Sequence, residues 1–436
     1  MTRKACALTL SALMVGTVLL CAAPTGVAAA GSAGTPQSIY KAWGYNNHGQ
    51  LGNRSNTDSN TPVIVSGLTG MVAVSGGGYH SLALMSDRTV WTWGWNLYGQ
   101  LGDGTNNDSN APAAIPGLSG VAVVSGGYYH SLALGSGGAV QSWGYNAQGQ
   151  LGDGTNNDRN APVAVSGLTG MVAVSGGGYH SLALMGDGTV WTWGWNLYGQ
   201  LGDGTNNDSN APAAIPGLSG VAAVSGGYYH SLALGSDGTV QSWGYNAQGQ
   251  LGDGTNNDSN IPVAVSGLAG VIAVSAGGLH NLALENDGTV RAWGYDGFGQ
   301  LGDGTNNDSN IPVEVSGLTG VATVSAGGAF SLALMSDGTV RAWGRNIYGE
   351  LGDGTNNDSN IPVEVSGLTG VVAVSAGFYH SLALMSDGTV RAWGRNIYGE
   401  LGDGTENDSN VPVEVSGFTG VDSGLGRQCT QPGFEE

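Results

Sequence analysis

The sequence predicts an all-β fold, a seven-bladed β-propeller of 50-residue repeats, on three observations. A Trp-Gly pair recurs every 50 residues without slippage, at Trp43, Trp93, Trp143, Trp193, Trp243, Trp293, Trp343 and Trp393. A second mark, His-Ser-Leu-Ala-Leu, keeps the same period at His80, His130, His180, His230 and His380; Asn281 replaces the serine after His280, and Phe330 replaces one histidine. Within each unit, four short runs of β-branched and aromatic residues are separated by Gly, Asn, Asp or Ser, and no run has helical spacing. A fixed period of this length means stacked supersecondary units, each too small to bury a core alone. Four strands per unit favour radial closure, which hides most strand edges, whereas the repeats of a right-handed β-helix are much shorter.

The elements follow in order. Arg3 and Lys4, the apolar run from Ala5 to Ala23 and the small residues Ala28 to Ala30 read as a secretory signal peptide, residues 1–30, cleaved after Ala30. The propeller then spans 38–421. One unit reads Met71 to Ser75, His80 to Met85, Thr89 to Gly94 and Pro112 to Ile115. The second and third runs are joined in most units by Ser-Asp-Gly-Thr, as at 336–339, a signal for a two-residue hairpin with both turn residues at positive φ. Asp87-Arg88 breaks that pattern and should strain or lengthen its turn. In the third run an unvarying Trp lies between variable neighbours, which predicts a ring buried between adjacent sheets, and the following Gly fits a place where two sheets approach closely. Seven complete units run from Tyr40 to about Gly388. A surplus half-unit at 389–421 either pairs with the amino-terminal strand or displaces it, and 422–436 form a loose tail.

Composition bounds the partners. The formal charge is −20, and removal of Arg3 and Lys4 with the signal peptide leaves 10 Lys+Arg against 32 Asp+Glu, or −22. Such a surface repels phosphate backbones, so no nucleic-acid partner is expected. No later apolar run could cross a membrane, and a secreted monomer follows. Cleavage also removes Cys6 and Cys21 and leaves Cys429 alone, so the fold has no intramolecular disulfide to rely on.

The motifs Gly-Gly-Tyr-Tyr-His-Ser-Leu-Ala-Leu (126–134), Asp-Gly-Thr-Val and Trp-Gly-Tyr-Asn-Ala-Gln-Gly-Gln-Leu-Gly-Asp-Gly (143–154) resemble the repeat of the regulator of chromosome condensation family. The resemblance covers roughly 38–420 and implies a propeller. It is weakly specific for function, because the family's propellers serve unrelated partners. One nuclear type is a nucleotide-exchange factor for a small GTPase. An exported bacterial type, closer to this chain in setting, inhibits β-lactamases with its loop-bearing face. The expected function is therefore an exported, non-catalytic scaffold that binds an extracellular protein or a cell-wall glycan. Nucleotide exchange and a calcium-binding surface role are the alternatives.

Four candidate sites can be weighed. The histidines recur too far apart to share one ion, and they read as structural groups that satisfy a neighbouring loop's backbone. The Asp-rich loops, as at 301–310, put Glu314 at the twelfth position counted from Asp303, as in a calcium loop; yet Asp308 stands where that loop needs Gly, and a polar turn held by Asx bonds is the plainer reading. The Asp353 and Asp403 loops repeat the pattern. No cofactor and no metal are expected. No Ser-His-Asp set or phosphate-cradling loop stands out, so no enzyme is expected. The fourth candidate is a set of aromatic and arginine residues that vary within a fixed frame: Trp95, Tyr98, Tyr129, Trp195, Tyr198, Tyr229, Tyr295, Arg345, Tyr348, Arg395 and Tyr398. Both loop positions that carry them belong on one face, and these are the residue types enriched at interfaces. Residues 71–170 and 171–270 differ at only eight positions, so the set repeats on alternate blades, with Arg345 and Arg395 as the clustered positive charge on an acidic body.

Overall fold

The computed structural model describes residues 17–22 and 39–417, with side chains from Tyr40 onward. Seven four-stranded antiparallel sheets follow one another. The first, blade 1, comprises Met71–Gly76, His80–Met85, Val90–Gly94 and Ser109–Ala114. The pattern repeats at 50-residue intervals to blade 7, which comprises Val371–Ala376, His380–Met385, Val390–Gly394 and Ser409–Glu414. First strands of neighbouring blades pack together, which puts them at the inner edge of the ring.

The half-unit lies at the amino end, because residues 371–414 complete blade 7 without help. Ile39–Gly44 and Ser59–Ile64 form an eighth sheet, in which Thr17–Ala22 pairs antiparallel with Ile39–Gly44. Cleavage after Ala30 would remove that third strand; the cleavage site and the tail 422–436 lie outside the described residues. The eighth sheet closes the ring. The Trp43 indole donates to the Glu400 carbonyl at 2.9 Å on one side, and Trp93 donates to the Gln50 carbonyl at 2.7 Å on the other.

Each core lies between two blades. Leu82, Leu84 and Val90 of blade 1 pack on Ile115, Leu118, Val121 and Trp143. The repeated Trp is 0% exposed in every unit, as its invariance predicts. Gly94 is fixed first by its own blade, since at φ 108° a Cβ would lie 2.6 Å from the Tyr79 carbonyl oxygen; at Gly144 and Gly194 a Cβ would also come within 3.2 Å of Gln100 and Gln150 of the preceding blade, the close approach expected there. The hairpin differs too. Gly188 alone takes positive φ, its N–H donates to the Met185 carbonyl, and Met185 N–H donates to the Thr189 carbonyl. This is a type I turn closed by a left-handed residue, not a two-residue loop. Asp187 is held in it by accepting from Thr189 N–H at 3.0 Å. Arg88 takes the glycine's place at φ 66° in a turn of unchanged length, so strain is the outcome there.

His80, His130, His180 and His280 bridge blades through a serine hydroxyl, and His230 through the Asn281 amide oxygen, rather than through backbone groups. His80 Nε2 lies 2.8 Å from Ser131 Oγ, which donates its single proton to the Gln100 carbonyl at 3.0 Å. Nε2 must therefore carry the hydrogen, and Nδ1 is left buried without a partner. Burial holds these rings neutral, with His80, His180 and His280 pushed down to about 3. Phe330 fills the same site without the bond, which explains why an apolar ring is tolerated.

A candidate binding face

Chain direction puts two loop sets at one end of the blades. The short turn carrying Tyr79 joins the first and second strands, and the long loop 95–108 joins the third and fourth. The long loop is shaped by a buried asparagine. Asn96 Oδ1 accepts from Leu101 N–H at 2.9 Å, and Nδ2 donates to the carbonyls of Thr105 (3.1 Å) and Asn107 (3.0 Å) and, at longer range, to Asp103 Oδ1 (3.3 Å). Asp103 Oδ1 also accepts from Thr105 N–H at 2.8 Å, and Asp108 Oδ1 from Asn96 N–H at 2.8 Å. The loop acids act as turn acceptors around an amide, in line with the Asx reading. Glu314 is not turned into its loop: it pairs across strands with Arg291 at 3.3 Å. Gln100 Oε1 braces the loop further by accepting from Tyr98 N–H.

On this frame the variable side chains form two arcs, and every residue of the set is half-buried on this one face. In the first arc, Trp95 lies 5.7 Å from Tyr79, 5.5 Å from Tyr98 and 5.2 Å from Tyr129. Blades 3 and 4 repeat the group, with Trp195 5.5 Å from Tyr198 and 5.4 Å from Tyr229. Tyr128 and Tyr228, 5.8 Å apart, join the two copies across alternate blades. Burial first, then neighbouring phenols, raises the pKa of Tyr128, and Tyr129 is pushed up to about 12. Tyr128 and Tyr129 are therefore held as neutral phenols.

The second arc is cationic. The Arg345 guanidinium lies 4.8 Å from the Tyr379 ring centre, 5.4 Å from Tyr348 and 5.6 Å from Phe298. Arg395 lies 5.1 Å from the same Tyr379 and 5.5 Å from Tyr398. Tyr295 joins through Phe298 at 6.1 Å. Here Glu350 and Glu400 replace the bracing glutamine, and Glu350 Oε2 still accepts from Tyr348 N–H. Its other oxygen is 3.9 Å from Arg345 Nε, and burial pushes the carboxyl up to about 7.

Sequence reasoning missed two features. Tyr128, Tyr228 and Phe378 occupy a position that is Gly in blades 1, 3, 5 and 6, and that alternation was the available signal. The loop tips also expose Leu97 (55%), Leu197 (56%), Ile347 (47%) and Ile397 (45%), all at one position of the repeat that reads Asn, Ala or Gly in the other units.

The RCC1-like domain family model matches residues 169–430. Models of the regulator of chromosome condensation (RCC1) repeat match 42–84, 87–134 and 137–184, and a second such model matches 71–100 and 121–150. No curated protein matches. Among solved structures, human WBSCR16 is 27% identical with a TM-score of 0.64, over 80% of this chain and all of that one. Prp20p of Saccharomyces cerevisiae, studied for its binding to Gsp1p and histones, is 24% identical with a TM-score of 0.62, over 85% of this chain and 92% of that one. The yeast RCC1 (Prp20) bound to Kap60 is 22% identical with a TM-score of 0.61, over 86% and 92%.

Proposed function

The chain belongs to the RCC1-like domain family, and we propose that it is an exported, non-catalytic propeller that binds a protein through the loop face carrying Trp95, Trp195, Arg345 and Arg395. The carrying observation is the composition of that face. Half-buried Tyr and Trp, two guanidiniums and four exposed aliphatic tips share it, the mixture that interface centres are made of. The opposite face carries the Ser-Asp-Gly hairpin turns and the exposed Val72, Val172 and Ile272, but, among the described residues, no comparable cluster of aromatic rings and guanidiniums. A protein is favoured over a glycan by ring geometry. Trp95 meets Tyr98 and Tyr129 edge to face, with planes 77° and 66° apart, so the rings interlock as a cluster and do not lie side by side as a flat platform for a sugar. Export rests on the first 30 residues, and it separates this reading from nucleotide exchange on an intracellular GTPase.

The test is capture by the chain beginning at Gly31 from the producing cell's culture proteins and from wall material. Leu97→Asp with Leu197→Asp should abolish protein capture, at a cost of ~2 kcal/mol or more, and leave melting unchanged because both tips are exposed. Arg345→Gln with Arg395→Gln should weaken capture more at low salt than at high salt. Capture that survives all four substitutions, or capture of wall glycan alone, would sink the proposal.

A further inference from the structure

Seven of the eight long loops are built around an asparagine amide, and one is not. Asn46, Asn96, Asn146, Asn196, Asn246, Asn346 and Asn396 each donate from Nδ2 to two loop carbonyls at 3.0–3.1 Å. In the sixth loop the residue is Asp296. Its Oδ1 accepts from Leu301 N–H at 2.8 Å and its N–H donates to Asp308 Oδ1 at 2.8 Å, the two bonds that orient the asparagines elsewhere. The second carboxylate oxygen is thereby aimed where the sister loops hold Nδ2. Asp296 is 0% exposed, and that oxygen has no hydrogen-bond partner.

The swap inverts the chemistry of the hole. Where an NH2 group gave two hydrogens to surrounding oxygens, an oxygen now takes its place, and the residues equivalent to the sister loops' acceptors are Asp303, Thr305 and Asn307, with Asp303 Oδ1 again accepting from Thr305 N–H. A buried oxygen among oxygens needs something positive between them. We infer that the loop 296–308 binds a hard divalent cation, calcium by its ligand type, held by Asp296 and Asp303 with the Thr305 and Asn307 carbonyls. Carboxylates combined with backbone carbonyls in an irregular loop are the ligand set that calcium takes. This is not the twelve-residue calcium loop, since Glu314 is engaged with Arg291 on the strand. Among the described residues no group of three or more His, Cys, Asp or Glu side chains is set to hold a metal, so the carbonyls are essential to the site. Electrostatics agree with the geometry: burial, then Asp303 and Asp308, push the Asp296 carboxyl up to about 7, a penalty that a bound cation would remove.

The experiment is thermal melting of the whole chain at pH 8 after chelator treatment, with and without millimolar calcium chloride. Calcium should raise the melting temperature by about 3 °C. Asp296→Asn, which installs the sister loops' amide, should abolish the rise while leaving the chelated protein at least as stable as wild type. Asn196→Asp should create a second calcium-responsive loop. Two results would overturn the inference: no calcium response in wild type, which assigns the hole to a proton on Asp296, or a response that Asp296→Asn retains, which moves the cation elsewhere.

Discussion

The first and second arcs of the loop face share one frame and differ in what it carries. Blades 1 to 4 hold Trp95 and Trp195 among tyrosines, whereas blades 6 and 7 hold Arg345 and Arg395 over Tyr379. Below both arcs the joints between blades are the same: an indole on the preceding blade's carbonyl, as for Trp193 on Gln150 (2.8 Å) and Trp343 on Gln300 (2.9 Å). The difference teaches where the variation can be afforded. The indoles that join blades have partners on both sides and do not vary, whereas the bridging histidine gives way to Phe330 with the loss of its bond. Trp95, Tyr98 and their counterparts touch other variable residues of the face, such as Tyr79, Tyr129 and Tyr145, so whole sets can be exchanged between blades. The arginines illustrate such a set, because Arg345 and Arg395 arrive together with Glu350 and Glu400.

The largest expected effect tests the shared frame. Deleting residues 390–436 removes two strands of blade 7 and the Glu400 carbonyl that receives Trp43. The eighth sheet loses its neighbour, and an open edge exposes unpaired backbone groups. Cooperative unfolding should be lost. A truncated protein with an unchanged melting curve would show that the ring does not depend on closure.

A smaller effect tests whether the arcs are equivalent below the surface. Trp193→Ala and Trp343→Ala each remove a fully buried indole and its hydrogen bond, and each should cost ~3–5 kcal/mol. Equal losses in denaturant melts would confirm a common frame. A difference of more than ~1 kcal/mol would mean that the arcs above feed into the packing below.

The frame was legible in the sequence because it repeats. Trp93, His80 and the Asp-Gly turns stand out by recurrence, and recurrence plus strand alternation is enough for a propeller. The place of the half-unit was not legible, since a period fixes spacing and leaves the phase of the cut open; only the pairing of residues 371–414 within one sheet decides it. The face was half legible. Variation at Trp95 and Arg345 marked a surface; Leu97 and Ile347 vary at a shared position of the same loop, but only their exposure shows that they are its tips. Asp296 was visible as one Asp among seven Asn, yet its meaning needs the hydrogen bonds of Asn96 and its sisters, because only these show that the exchanged atom is a donor among acceptors.

The smallest effect concerns charge and separates the arcs most directly. The folded-state pKa of Glu350 is raised by burial to about 7, above its ordinary value of 4.5. Its contribution to stability is therefore present at low pH, where the carboxyl is protonated in both states, and is lost as pH rises through about 7. The buried histidines run the other way: with folded values near 3 to 4, their contribution is full above about 6.5 and is lost as pH falls. They occur in both arcs and cancel when a variant is compared with wild type. Glu350→Gln, which installs the first arc's residue, should therefore be more stable than wild type at pH 8, on the order of 1–3 kcal/mol, and equal to it near pH 4. The converse change, Gln100→Glu, puts a carboxylate under Trp95 where no guanidinium compensates it, and its loss at pH 8 should exceed what wild type bears at Glu350. Denaturant midpoints of the three proteins at the two pH values decide the matter. If Glu350→Gln is the less stable protein at pH 8, then Arg345, 3.9 Å away, outweighs burial, and the second arc is held together by its ion pair rather than tolerating it.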